Sequence, residues 1–409
     1  SLTQHLANNL IDLYINLPSA NRFRRPSSYV SKGYQTRRMA VDYAVPLVTN
    51  VKCAKLLIEA IARNIPLEAT EVDAQTSHHT FELPGLVSIN TFIPDLTPQS
   101  FEDTTKTAIA SGFVFNSIAP ISLKGAAIVD ARTLTAANEV IQGNSYSDYS
   151  LSVAATETNT QLIPHVTALT SALYVDSEEF DSTTIANISA HFGVWPNTKA
   201  IIADAKTTTL ASLLLLTSLY SSKIHITNVT GRDDLALITM AKKKGLNVTC
   251  DVAIYSLFFS QSDYAGAEFL PTKEDQKALW DNLDSIDCLS IGVVPTKLAQ
   301  FLNKPITAGL GFADALPLLF NAVSQKNLSV DDIIAKLHDA PISIFGLGDV
   351  DSYINVDLDR TVGTLKSASK LFSPVDPSIG GTVERVFING QTICLEGEFI
   401  VDEALGKED

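Results

Sequence analysis

The sequence predicts an α/β protein: a (β/α)8 barrel with a small flanking β subdomain, preceded by part of an open α/β domain. Three observations predict it. From Leu86 to about residue 340, eight short apolar runs alternate with segments of helical periodicity. That is the strand arithmetic of a barrel in about 250 residues, and a doubly wound sheet rarely needs eight parallel strands. Beyond residue 346 the hydrophobic period switches to two, as in antiparallel strands. The first 66 residues hold two strand-like runs and one amphipathic helix, too few to cover a sheet.

Residues 1–66 open with "LIDLYINLP", a strand signal stopped by Pro18. A basic loop follows, "NRFRRPSSYVSKGYQTRRMAVDY", then a buried strand, "VPLVTNV", and a helix, "KCAKLLIEAIARN", with apolar residues at helical spacing. Residues 67–85 form a connector with one strand, "ATEVDA", and the punctuating "ELPG". Residues 86–345 carry the barrel strands "LVSINTFI", "FVFNSIA", "YSLSVAA", "SALYVD", "KAIIAD", "KIHITNV", "NVTCDVA" and "DCLSIGVV". Helical patterns intervene, among them "SFEDTTKTAIAS", "TTTLASLLLLTSLY" and "RDDLALITMAKKKG". Residues 346–402 read as the flanking β subdomain, "YINVDL", "ERVFIN", "QTICLE" and "EFIVD", with Asn389-Gly390 as a two-residue hairpin turn. Residues 403–409 read as the start of a polar linker.

Composition narrows the function. Of 409 residues 45% are hydrophobic and 18% charged, which supports a large core and argues against a disordered tail. A net charge of −15 repels phosphate backbones and anionic lipid surfaces, so no nucleic acid and no membrane partner is expected. The four cysteines are far apart without a CxxC pair, which fits free thiols in a reducing, cytoplasmic setting. The most apolar helical stretch, "LASLLLLTSLY", is too short for the roughly 30 Å of a bilayer core. The chain reads as a fragment of a longer protein.

A barrel with a β subdomain invites a search for a metal hydrolase site at the C-terminal strand ends. None of the seven histidines forms HxH, HxxxH or HExxH. Only His225 falls inside a barrel strand, where packing is the ordinary role. "GLGF" and "GLGD" are not dinucleotide fingerprints, and no P-loop or GxSxG is present.

The segment "LPGLVSINTFIPD" resembles the first barrel strand of dihydroorotases, LPGLIDxHxHxRE, and with it the barrel becomes one of amidohydrolase type. The resemblance puts the two zinc histidines at Asn90 and Phe92 and the substrate-carboxylate arginine at Pro94. "FNSIAPIS" is similar to the segment ending in MPNT and puts the substrate asparagine at Ile121. "SLSVAA" puts the bridging carboxylated lysine at Ser152. Two further ligand histidines fall on Asp204 and Asn228, and the catalytic aspartate falls on Gly292, in "LWDNLDSIDCLSIGVVPTK". The resemblance therefore implies a scaffold whose metal and catalytic positions have all changed, with no zinc and no cofactor. Zinc is what makes bound water nucleophilic near neutral pH, and its loss removes the chemistry. Asp204 by itself reads as a hydrogen-bonded carboxylate, since one ligand without partners holds metal weakly.

Residues 1–66 resemble the tail of the regulatory domain that closes carbamoyl-phosphate synthetase. The order resembles multifunctional pyrimidine-pathway proteins of CAD type, in the fungal form whose dihydroorotase region is inactive and precedes aspartate transcarbamoylase. The resemblance implies a spacer between those two neighbours that self-associates as a homodimer. It also implies an effector site for UTP or phosphoribosyl pyrophosphate, with Asn16, Ser19, Lys32, Arg37, Arg38, Thr49 and Asn50 as phosphate donors. A metabolite-sensing module is the alternative. A metal-free enzyme using Asp204, Asp251 and His225 is another.

Overall fold

A computed structural model describes residues 5, 10–17, 32–62, 80–176, 182–348, 350–360, 379–401, 404 and 406–408. The chain forms two compact units, residues 1–76 and 77–409.

In the first unit, β1 (Tyr14–Ile15) pairs in parallel with β2 (Leu47–Val48), separated in sequence by α1 (Lys32–Asp42) and followed by α2 (Val51–Ala62). The basic segment expected as a loop is therefore a helix from residue 32 onward. Its apolar Met39 and Ala40 face Ile11, Tyr14, Val45 and Leu47, and that burial outweighs a composition that reads as solvated loop. Residues 21–31 of the segment lie outside the described residues, as does the expected strand "ATEVDA".

The second unit opens with β3 (Thr80–Pro84), then β4 (Leu86–Thr91), α3 (Pro98–Ala110) and β5 (Phe113–Ile118). A small hairpin, β6 (Ile121–Ser122) and β7 (Gly125–Ala126), leads to α4 (Ala131–Ile141). The third barrel strand is split at Ser152 into β8 (Asp148–Leu151) and β9 (Val153–Ala154). The alternation continues through β10 (Ala172–Asp176), α5 (Ser182–Val194), β11 (Ala200–Asp204), α6 (Thr207–Tyr220), β12 (Lys223–Ile226), α7 (Arg232–Lys243) and β13 (Val248–Ala253). It closes with α8 (Ile254–Phe258), α9 (Lys273–Asp281), β14 (Cys288–Ser290), α10 (Val294–Phe301), α11 (Phe312–Ser324), α12 (Val330–Ile334) and α13 (Ala340–Phe345). The paired barrel strands are all parallel, in the order β4-β5-β8 and β9-β10-β11-β12-β13-β14.

Strand side chains alternate between the helical layer and the interior. Val87, Ile89, Phe115, Tyr174, Ala200, Ile202 and Cys288 form one interior cluster. Ile344 and Phe345 at the end of α13, and Leu347 just beyond it, join the same cluster, so they plug it. Lys223 Nζ donates to the Ile344 carbonyl and helps hold the plug.

The flanking β subdomain is a five-stranded antiparallel sheet in the order β18-β17-β16-β15-β3. It contains β15 (Ser352–Asp357), β16 (Thr382–Ile388), β17 (Gln391–Leu395) and β18 (Glu398–Phe399). Residues 80–84 supply its edge strand. Asn389 and Gly390 hold φ of 48° and 84°, the turn geometry expected of that pair. The last residues depart from the linker expectation. The Tyr149 N–H donates to the Lys407 carbonyl (2.9 Å), the Lys407 N–H to Asp148 (2.9 Å), and the Gly406 N–H to the Ser145 carbonyl (2.8 Å). Polar side chains do not prevent such docking, because backbone groups make the bonds.

Candidate functional site

The barrel strands end at a common mouth, where active sites of this architecture sit. Asn90 is near the end of β4 and Asn228 follows β12. Both are buried, and both hold left-handed φ, 50° and 58°. Asparagine visits that region more readily than most residues because its short amide bonds locally. Gly292, beyond β14, sits there too at φ 61°. Phe92, Pro94, Ile291, Gly292 and Phe312 bound a hollow of about 10 Å³. That is room for one water at most.

Asp204 ends β11 and accepts a hydrogen bond from Asn228 Nδ2 at 3.2 Å. Burial raises its carboxyl above the ordinary value, against the pull of Lys206, the Asn228 amide and Lys297. Ile121 lies on the β6–β7 hairpin and packs against the interior cluster. Ser152 is buried, its Oγ 3.4 Å from Ser171 Oγ. The structure thus gathers Phe92, Pro94 and Gly292 around one hollow and joins Asp204 to Asn228. Ile121 and Ser152 are not among the residues bounding that hollow.

Below the mouth lies a polar network that the residue pattern alone did not assemble. His225 Nε2 donates to Asp251 Oδ2 at 3.0 Å, and its Nδ1 lies 2.8 Å from Thr249 Oγ1. Ser290 Oγ (2.6 Å) and the Asn228 N–H (3.1 Å) donate to Asp251 Oδ1. The ring of Phe345, from the plug, meets the His225 ring edge-on at 5.1 Å. Burial pushes the Asp251 carboxyl up. The His225 hydrogen bond and charge, with the Ser290 and Thr227 hydroxyls, outweigh burial and hold it below the ordinary carboxylate range. His225 was singled out from sequence, but Thr249 and Ser290 carry no sequence signal. They are ordinary strand residues until the barrel's register sets them beside Asp251 and His225.

These residues do not fit a zinc ion. Asp204 is the one anionic donor among Asn90, Phe92, Ser152, Asp204 and Asn228, where the dihydroorotase resemblance puts the metal ligands. The Oδ1 atoms of Asn90 and Asn228 are neutral amide oxygens, and Phe92 adds carbon. Among the described residues, no group of three or more His, Cys, Asp or Glu is arranged to hold a metal.

In the first unit, Asn16 follows β1 while Thr49 and Asn50 follow β2, so all three lie at the C-terminal ends of paired parallel strands. Open α/β sheets bind ligands at such ends. Arg37 Nη1 donates to Asn16 Oδ1 at 2.9 Å. Arg38 instead pairs with Asp42 (3.2 Å) on an exposed face of α1. Asn50 Oδ1 accepts from the Lys52 and Cys53 N–H groups at 2.8 and 3.2 Å, which makes it the N-cap of α2. Lys32 starts α1, and its side chain lies outside the described residues, as does Ser19.

An MGS-like domain model matches residues 1–49. The multifunctional protein URA2 of Saccharomyces cerevisiae is 50% identical over 412 aligned positions, covering all of this chain and 18% of that protein. The chain thus spans under a fifth of that relative's length. The inactive dihydroorotase-like domain of the Chaetomium thermophilum CAD-like multifunctional protein is 40% identical, with a TM-score of 0.75 over 81% of this chain and 99% of that one. The chain belongs to the family of inactive dihydroorotase-like domains of CAD-like multifunctional proteins. L-Hydantoinase from Arthrobacter aurescens, at 18% identity and a TM-score of 0.69, shares the fold alone.

An inactive dihydroorotase-like domain keeps the barrel because barrel stability lies in strand interiors and helix packing, remote from the loop ends. Here the interior goes further, with Asp251 and His225 sealed at 0% and 1% exposure, away from any solute at the mouth.

Proposed function

We propose that the dihydroorotase-like region is an inert spacer in a multifunctional protein of de novo pyrimidine biosynthesis. It orients a carbamoyl-phosphate synthetase module and an aspartate transcarbamoylase module, which supply the activities of the whole polypeptide in the cytoplasm. The observation that carries this reading is the 10 Å³ hollow where Phe92, Pro94 and Gly292 meet. A dihydroorotate ring does not fit there, and the replaced positions Asn90, Phe92, Asp204 and Asn228 offer zinc one carboxylate and no imidazole. The test is zinc content and dihydroorotate turnover of the purified chain. Metal and turnover at background support the reading, whereas stoichiometric zinc with turnover overturns it. A metal-free enzyme built on Asp204, Asp251 and His225 is disfavoured, since a general acid or base must reach its substrate and two of the three are sealed.

The spacer self-associates as a homodimer in this reading. Helix α6 carries no charged residue in its 14 positions and exposes Leu215 (61%) and Leu219 (69%). Helix α5 adjoins it through Ser189 Oγ and Tyr220 Oη, 2.9 Å apart, and exposes Ile185 and Val194. A second copy related by a two-fold axis presents the same uncharged face and needs no opposite charge to match.

A second reading concerns the first unit. The Asn16–Arg37 contact at the strand ends favours an effector phosphate site, with Thr49 beside it and Ser19 and Lys32 as further donors. Calorimetry of the whole chain with UTP and with phosphoribosyl pyrophosphate tests it. Binding that an Arg37→Ala substitution abolishes supports the site, and heat unaffected by that substitution overturns it.

A further inference from the structure

A larger cavity lies away from the mouth, between α3, α11 and the β subdomain. Its volume is about 310 Å³, within the range of small-molecule pockets. Two rings face it, Phe312 from α11 and Phe399 from β18, with Ala110, Leu316 and Val383 completing the apolar wall. The rings are held from behind. Phe312 packs edge-on against Phe113 with centroids 5.2 Å apart, and Phe399 packs edge-on against Tyr146, also at 5.2 Å. The walls are therefore set before any occupant arrives, which lowers the ordering cost of binding.

The polar groups at this cavity favour one kind of ligand. The hydroxyls of Thr107 and Ser111 donate to the helical carbonyls of Asp103 and Thr107, at 2.7 and 2.8 Å, and Thr382 Oγ1 donates to the Arg360 carbonyl at 3.3 Å. Their protons are committed, and what they offer an occupant is lone pairs. Of the charged lining residues, two are carboxylates, Glu396 and Glu398, and one is an ammonium, Lys106. That ammonium bonds Glu102 at 2.5 Å and lies 4.6 Å from the centroid of the Tyr146 ring. The lining thus has an apolar, aromatic floor, acceptor hydroxyls and, with Lys106 on Glu102 and Arg360 3.9 Å from Glu396, the exposed carboxylate of Glu398 at its rim.

We propose that this cavity is a binding site for a small molecule with an aromatic or apolar body and a single positive charge, such as an aryl-alkyl ammonium. The body lies between Phe312 and Phe399, and its ammonium donates to the acceptor hydroxyls and to the Glu398 carboxylate on β18. Phe312 also bounds the mouth hollow, so an occupant here rests on the side chain that closes the barrel.

The experiment is an NMR or calorimetric titration of the whole chain with three matched probes: benzylammonium, benzyl alcohol and benzoate. Benzylammonium should bind most tightly and benzoate least. Glu398→Gln, an exposed change that does not touch the core, should weaken benzylammonium by about two- to five-fold and leave benzyl alcohol unchanged. Ala110→Phe, which fills the cavity, should abolish binding of both. The proposal is overturned if no probe binds, if benzoate or benzyl alcohol equals benzylammonium, or if binding survives in a folded Ala110→Phe chain.

Discussion

At the residue scale, two aspartates of the same barrel behave in opposite ways, and their neighbours decide which. Asp251 is fully buried yet held ionised by His225, Ser290 and Thr227. Its pKa is depressed, so it contributes stability above the unfolded carboxylate value near 4, lost as pH falls through the folded value. Removing this acceptor leaves the buried donors of His225, Ser290 and the Asn228 N–H without a partner, so Asp251→Ala should cost about 3 kcal/mol or more in denaturant unfolding at pH 7. Asp204 is the reverse. Burial raises its pKa, so its favourable contribution is complete below the unfolded value and disappears as pH rises through the folded one. At neutral pH its charge destabilises the fold. Asp204→Asn should therefore raise the Tm at pH 7, with the gain shrinking toward pH 4, as a pH series of thermal melts will check. In an enzyme that needed this carboxylate, the same change would trade activity for stability.

At the element scale, α6 and the β16–β17 hairpin illustrate two kinds of sequence information. The hairpin is local. Gly390 holds φ of 84°, where any side chain is strained, so Gly390→Val should cost about 1–2 kcal/mol by chemical denaturation, and Asn389→Gly far less. Helix α6 is not local. Its apolar residues run round the whole circumference, so periodicity does not say which side faces the barrel. The fold buries Leu210, Leu213, Leu214 and Leu216 and leaves Leu215 and Leu219 outside. Leu215→Glu should shift the chain from dimer to monomer in sedimentation velocity while leaving its circular dichroism unchanged. A monomeric parent chain would remove the proposed contact.

At the scale of the whole molecule, an inactive barrel should be indifferent to metal. On the proposed reading no folding free energy comes from an ion, so prolonged chelator treatment should leave the Tm within about 1 °C; a metal that held the site would stabilise by its binding free energy, and a larger drop would overturn the reading. The interior plug of Ile344, Phe345 and Leu347 and the His225–Asp251 network fill the barrel beneath the mouth without an ion.

The eight barrel strands and the hairpin at Asn389-Gly390 were legible in the chain, because each is written in nearest neighbours: apolar runs and turn residues. The helix at residues 32–42, the docked final residues and the plug were not, because each depends on a surface that exists only after folding. The same holds at the mouth. Sequence named Asn90, Phe92, Asp204, Asn228 and Gly292 one by one, but only the folded barrel could show that Phe92, Pro94 and Gly292 bound one hollow and that Asp204 accepts a hydrogen bond from Asn228. Local chemistry is carried by residue type, whereas free volume and electrostatic pairing arise when residues distant in the chain are brought within a few ångströms.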